Sequence, residues 1–398
     1  MSVSEKFLKY VKVNTQSSDE SLTTPSTMCQ FDLAKILEKE CIDLGFDAVY
    51  LSESGIVYAT LNATVDGKDS IGFLAHMDTA TEISGANVHP RIVKEYAGDT
   101  IHLNEEYSMS PNEFEALSEC IGDDLIITDG TTLLGGDDKA GIAIIMEAME
   151  TLIQSKKPHG KIMVAFTCDE EVGRGTESFE LDRFDVDYAY TVDGGRVDCI
   201  DYENFNAARA TIHITGTSIH PGDAKGKMIN AALLAGEVIA QFPIDQTPAT
   251  TEDREGFYHL LEVKGNVENA TLDYILREHD SVKFEAQKVF VQEIVQAMNA
   301  KYPGHFQVEI RDQYLNMYAY IKEDMRCVHR ARKAIATSGL DPVSIPVRGG
   351  TDGAMLSNRG LLCPNLGTGS YNHHGRFEFA SIQKMEKMVE IVMNIIEG

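Results

Sequence analysis

Ile71-Gly-Phe-Leu-Ala-His76-Met-Asp78 is a short apolar run that stops on a histidine and an aspartate, and its form sets the reading of the chain. The same form recurs. Lys161-Ile-Met-Val-Ala-Phe-Thr-Cys-Asp-Glu170-Glu171 is a second apolar strand with an acidic end, and Tyr188-Ala-Tyr-Thr-Val-Asp193-Gly-Gly is a third. Gly360-Leu-Leu-Cys-Pro-Asn-Leu-Gly is a fourth, followed by a glycine-rich turn into His373-His374. Between the first two lies Asp138–Ile153, a helical pattern apolar on most sides, as expected of a helix packed on a sheet. Strands alternating with packed helices define an α/β fold, here a mostly parallel sheet flanked by helices. Upstream, Phe31, Leu33, Ala34, Ile36, Leu37, Cys41 and Leu44 give a helical apolar face. Met385, Met388, Val389, Val392, Ile395 and Ile396 do the same at the end of the chain.

Residues 207–317 break this rhythm. Ala208-Arg-Ala-Thr-Ile-His-Ile-Thr alternates like a strand with one wet face, helical stretches follow at 228–242 and 281–301, and Phe306-Gln-Val-Glu-Ile alternates again. The order strand–helix–strand–strand–helix–strand predicts a small α+β domain over 207–317, inserted into a larger domain of 1–206 and 318–398. At 398 residues, two domains are also the expectation from length.

The net charge of −27 disfavours partners with phosphate backbones or anionic lipid surfaces, so neither nucleic acid nor membrane is expected as a partner. No apolar run is long enough to span a bilayer, and the N-terminus lacks a secretory apolar core. Seven scattered cysteines without a C-x-x-C fit buried thiols in a reducing compartment. A cytoplasmic protein is the expectation.

His76, Asp78, Glu170, Glu171, Asp193 and His374 all fall at the carboxyl end of an expected strand or its turn, and the Gly135-Gly-Asp-Asp-Lys turn opens a helix beside them. Ligands of open α/β sheets bind beyond those strand ends. Singly, each group reads as a hydrogen-bonded turn, a solvated acid or a helix cap. Together, so many carboxylates at one rim need cations to offset their repulsion. Imidazole and carboxylate without thiolate suit catalytic zinc, with cobalt or manganese as substitutes. Five ligands exceed one open tetrahedral site and suit two ions, which about 3.5–4 Å apart can hold a hydroxide and polarise a carbonyl. Glu170 and Glu171 allow one to ligate while the other moves protons. At this level Asp137 and Asp138 remain alternatives for a shared carboxylate. Gly222-Asp-Ala-Lys-Gly226-Lys227 lacks P-loop spacing, and G-x-S-x-G and H-E-x-x-H are missing.

The set His76-Met-Asp78, Gly136-Asp-Asp-Lys139, Asp169-Glu170-Glu171-Val-Gly173, Asp193-Gly and His374-Gly resembles the M20 family of dinuclear zinc peptidases. The likeness extends through His220-Pro-Gly-Asp-Ala-Lys-Gly-Lys-Met, Arg348-Gly-Gly-Thr-Asp-Gly-Ala and Tyr371-Asn-His-His-Gly, over essentially the whole chain. Two departures stand out: Gly136 where alanine is more usual, and His373 beside the ligand histidine. The resemblance implies removal of the N-terminal residue from tripeptides, with a small peptide as the partner and a homodimer as one assembly open to it. It implies one metal on His76, Asp137 and Asp193, the other on Asp137, Glu171 and His374, and a cis peptide after Asp137. Asp78 would orient His76, Glu170 would be the general base, and the inserted domain would be a lid. His220 would meet the oxyanion and Arg277 the substrate carboxylate, with Arg348 as a further substrate-binding candidate. On sequence alone Arg277, in Leu-Arg-Glu-His-Asp, reads as a helix-surface ion-pair residue. The same motifs would serve a dipeptidase, carboxypeptidase or N-acyl amino-acid deacylase, and a metal-binding protein without catalysis is the rival from another class. The intact Glu170 speaks against that last reading.

Overall fold

The computed structural model describes residues 1–398, which divide into two units: Met1–Tyr202 with Tyr320–Ile345 and Thr351–Gly398, and Glu203–Ala319 with Pro346–Gly350.

The large unit is built on a seven-stranded mixed sheet in the order Ala48–Leu51, Val57–Leu61, Ile162–Thr167, Ile71–His76, Tyr188–Gly194, Asn365–Gly367, Ile200–Asp201. The central four strands are parallel, and antiparallel strands close both edges. Every residue of Ile71–His76 and of Ile162–Thr167 is buried, because helices cover the sheet. The Gly136–Ser155 helix lies across the Ile71–His76 and Tyr188–Gly194 strands, with Val3–Tyr10 and Ile382–Glu397 packed on it. Its Ile142, Ile144, Ile145, Met146, Met149 and Leu152 are buried, each worth about 1.5–3 kcal/mol of transfer free energy. That burial holds the helix, and hence its first turn, at a fixed height above the strand ends.

Parallel register aligns those ends. His76 pairs opposite Thr167, and Leu74 opposite Thr191, so His76 and Asp193 reach the same level of the sheet and Glu170 lies just past it. A second, four-stranded sheet (Ser370–Tyr371, Phe379–Ser381, Leu125–Ile127, Arg91–Val93) has no counterpart in the sequence reading. Its first two strands pair antiparallel and present residues 372–378, including both adjacent histidines, as a loop.

The small unit is a four-stranded antiparallel sheet in the order Phe257–Gly265, Asn269–Glu278, Asn206–Thr215, Phe306–Tyr314. Ala208, Ala210, Ile212 and Ile214 bury one face against the helices Ala231–Ile239 and Ser281–Lys301. Asn230 and Asp280 cap those helices through side-chain oxygens. The unit is larger than 207–317, because Pro346–Gly350 joins it. Val347 N donates to Glu203 O at 2.9 Å. The Arg348 guanidinium donates to Asp253 O at 2.9 Å, Glu255 O at 3.2 Å and Thr251 Oγ1 at 2.9 Å.

Candidate metal centre

His76 ends its strand fully surrounded. Nδ1 lies 3.1 Å from the Asp78 carbonyl and 3.4 Å from an Asp78 carboxylate oxygen, which turns Nε2 toward Asp137 Oδ1 at 2.7 Å and Asp193 Oδ1 at 3.5 Å. A proton held on Nδ1 leaves the Nε2 lone pair for a cation. The Asp78 carboxylate does more than flank the ring. It accepts from Glu170 N at 3.0 Å, from Glu171 N at 3.1 Å and from the Ser17 hydroxyl, so one buried aspartate fixes the turn that carries both glutamates.

Asp137 sits in the first turn of the long helix with non-helical backbone (φ −83°, ψ 104°), and the Asp137–Asp138 peptide is cis. Its second oxygen, Oδ2, lies 3.3 Å from His373 Nδ1 and 3.4 Å from His374 Nε2. One carboxylate thus faces imidazoles on two sides. Asp138 points elsewhere: its oxygens accept from Gly141 N at 3.1 Å and His76 N at 3.3 Å. The helix-opening turn therefore separates two aspartates that the sequence left interchangeable.

Glu171 Oε2 lies 3.0 Å from His374 Nε2, and its other oxygen is buried without a hydrogen-bond partner. His374 adopts φ 61°, a left-handed conformation uncommon for a residue with a Cβ, and its Nδ1 lies 3.3 Å from Glu82 Oε1. Candidate ligand atoms fall into two groups, His76–Asp137–Asp193 and Asp137–Glu171–His374, each with all atoms within 4.8 Å of one another. His373 approaches Asp137 but belongs to neither group, and its Nε2 is buried and unpartnered.

The electrostatics of the cluster follow from burial and from the crowding of its acids. Burial pushes the Glu170 carboxyl well above its usual range, and nearby Asp193, Asp352 and Glu171 push further. Burial raises Glu171 to about 7, with Asp137 adding to it while His374 opposes. Asp193 is raised by burial against the pull of His76, and Asp352 reaches about 7 by burial, its Oδ2 held by the Thr167 hydroxyl at 2.7 Å. Burial opposes a charged His76, yet Asp193 and Asp137 raise it well above its ordinary value. His374 rises to about 11 through its bonds to Asp137 and Glu171. Asp137 goes the other way: burial would raise it, but His373, His374 and His76 hold it well below the usual carboxylate range, so the acids around it crowd one another while the imidazoles face carboxylates, a donor set suited to divalent cations. The orphaned Glu171 oxygen agrees with that fit.

Behind Asp137 lie groups the sequence did not single out. Glu378 accepts from Leu134 N and Gly135 N, both at 2.8 Å, and from Asp137 N at 2.9 Å. Lys139 is buried and donates to Val13 O at 2.9 Å; burial lowers its ammonium to about 8 against the pull of Glu378 and Asp78. Gly136 explains its own departure from the family pattern. A Cβ there would overlap Ser370 Oγ and come within 3.0 Å of Glu378 Oε1. Gly136→Ala is expected to destabilise the chain by about 1–3 kcal/mol through overpacking. Adding Ser370→Gly should restore most of the loss, as read from the thermal midpoints of the single and double variants.

The three residues expected to bind substrate, His220, Arg277 and Arg348, lie in the small unit. His220 precedes the short turn Pro221–Asp223, its Nδ1 accepting from Gly222 N at 3.2 Å with the side chain 80% exposed. Arg277 is on the Asn269–Glu278 strand, not on a helix, bonding Leu276 O at 2.9 Å and Gln313 Oε1 at 3.1 Å. Arg348 lies over Phe205 and Phe257, with its guanidinium engaged by the 251–255 loop as described above. That engagement makes it a strut of the small unit and corrects its expected place in the large domain.

A carboxylate–imidazole cluster running from buried His76 to exposed His374 at the carboxyl ends of a mixed α/β sheet, with a further glutamate beside it, has the make-up of a hydrolytic metal centre. The family model described as peptidase family M20/M25/M40 matches residues 130–398, and the chain belongs to that family. The Peptidase T of Desulfitobacterium hafniense strain Y51 is 50% identical over 401 residues, covering 100% of this chain and 98% of its own. Among solved structures, the aminopeptidase PepT of Bacillus cereus superposes with a TM-score of 0.79 at 26% identity, covering 99% of this chain and 97% of its own. A tripeptidase of Staphylococcus aureus shares the fold, with a TM-score of 0.79 at 21% identity over 99% of this chain and 97% of its own. No helix is long and apolar enough to cross a membrane.

Proposed function

We propose that the chain is a metal-dependent aminopeptidase that removes the N-terminal residue of tripeptides. The observation that carries the reading is the pair of ligand groups sharing Asp137, with Glu170 beside them. Names of the relatives, Peptidase T, aminopeptidase PepT and tripeptidase, support the substrate class. His76, Asp137 and Asp193 would hold one ion and Asp137, Glu171 and His374 the other, most simply zinc, since the donors are imidazole and carboxylate only. When bound, such a pair supplies an acidified water and a Lewis acid for the scissile carbonyl.

The chain's own residues do the rest. Glu170, its backbone held by Asp78, takes a proton from the attacking water and returns it to the departing amine nitrogen. Asp78 keeps the His76 ring in the orientation that exposes Nε2. By the family resemblance His220 would meet the developing oxyanion, a role worth about 3 kcal/mol, and Arg277 would pair with the peptide's C-terminal carboxylate. Arg348 acts indirectly, by holding the 251–255 loop.

The test is a length profile. Matched di-, tri- and tetrapeptides, free and N-acetylated, are assayed with zinc, cobalt or manganese supplied. Free tripeptides should be cleaved fastest, with release of the N-terminal residue. Activity on N-acetyl amino acids without activity on free tripeptides would replace this reading with that of a deacylase.

A further inference from the structure

We infer that Glu378 is the positioning residue for Asp137, fixing the direction of the shared carboxylate; the inference rests on the two-ion reading above. Glu378 directly precedes the Phe379–Ser381 strand, whose pairing with Leu125–Ile127 and Ser370–Tyr371 anchors its backbone. Its side chain is buried and receives three main-chain amides, Leu134 and Gly135 on Oε2 and Asp137 on Oε1. Those amides belong to the turn that opens the long helix, where Gly135 takes φ +80° and successive N–H groups converge in a concave nest. Asp137 is therefore gripped on both sides. Its own amide is held by Glu378, and the next residue's carboxylate is tied to His76 N.

The backbone grip fixes the Cα–Cβ direction of Asp137, and with it the position from which both carboxylate oxygens reach. Oδ1 faces His76 and Oδ2 faces His374, and a small rotation would spoil both approaches together. Glu378 belongs to neither ligand group, and its hydrogen bond to a group member is the one from Asp137 N. A glutamine cannot substitute: it offers one acceptor oxygen, and its NH2 would confront either Asp137 N or the Leu134–Gly135 pair. Aspartate keeps the charge but is one methylene too short to span both.

The experiment compares wild type, Glu378→Gln and Glu378→Asp for zinc affinity by chelator competition, for the visible spectrum of the cobalt-loaded protein, and for apo-protein thermal midpoint and far-UV circular dichroism. The expected result is a folded protein whose two ions are both weakened about 10–100-fold, with an altered cobalt spectrum at saturation. Wild-type affinity and spectrum in either folded variant would overturn the inference, as would weakening of one ion alone. Failure of both variants to fold would also overturn it, by making Glu378 a residue of the fold. Failure of the underlying reading looks different: wild type itself would bind fewer than two ions.

Discussion

Asp137→Ala is expected to lose both metal ions at once and to fall to background turnover. The reason is geometric. Each ligand group has three members, and Asp137 is the member they share. Its removal leaves His76 with Asp193 on one side and Glu171 with His374 on the other, two protein ligands per ion where catalytic zinc ordinarily has three. The loss is not additive with that of a terminal ligand, because one substitution depletes two sites. Elemental analysis after dialysis against a defined zinc concentration reads the outcome, and one retained equivalent would refute the shared carboxylate.

Glu170→Ala is expected to keep its metals and lower turnover at least 10²-fold, the usual contribution of a positioned general base. Glu170 belongs to neither ligand group, which is why metal content should survive. Its backbone bond to Asp78 is unaffected by side-chain truncation, so Glu171 should stay in place as well. Steady-state kinetics at saturating peptide, with metal content measured on the same sample, make the comparison. Near-normal turnover in a fully loaded Glu170→Ala protein would remove Glu170 from the chemistry.

The large unit was legible because its signals are local. A buried parallel strand announces itself as an apolar run, and a polar group just past the run must lie at the sheet's carboxyl end. That placed His76, Asp78, Glu170, Glu171 and Asp193 at one rim without any knowledge of register, and the parallel pairing of the three strands then brings them level. Asp137 against Asp138 was not legible from strand ends, since both occupy one turn; only the backbone conformation there sends one carboxylate to the imidazoles and the other to Gly141. Arg277 was misplaced on a helix because Glu278, His279 and Asp280 make its surroundings polar. Asp280 instead caps the next helix, and Arg277 takes the outward position of a strand whose Leu276 and Tyr274 point inward.

What the sequence hid is the support behind the ligands. Ser17, Glu82 and Glu378 lie far along the chain from the groups they hold, and none carries a spacing signal. The second sheet is invisible for a similar reason: its strands are two or three residues long and come from four separate segments. Yet that sheet anchors both the His374 loop and Glu378. Candidate ligands are thus written locally and their aim non-locally, a difference that makes the outer residues the harder half of such a site to read.

The most direct test of the shared centre is anomalous diffraction at the zinc edge from crystals of the zinc-loaded protein. Two peaks about 3.5–4 Å apart are expected, each about 2.0–2.2 Å from an oxygen of Asp137. A single peak, or two peaks of which only one contacts Asp137, would contradict the account.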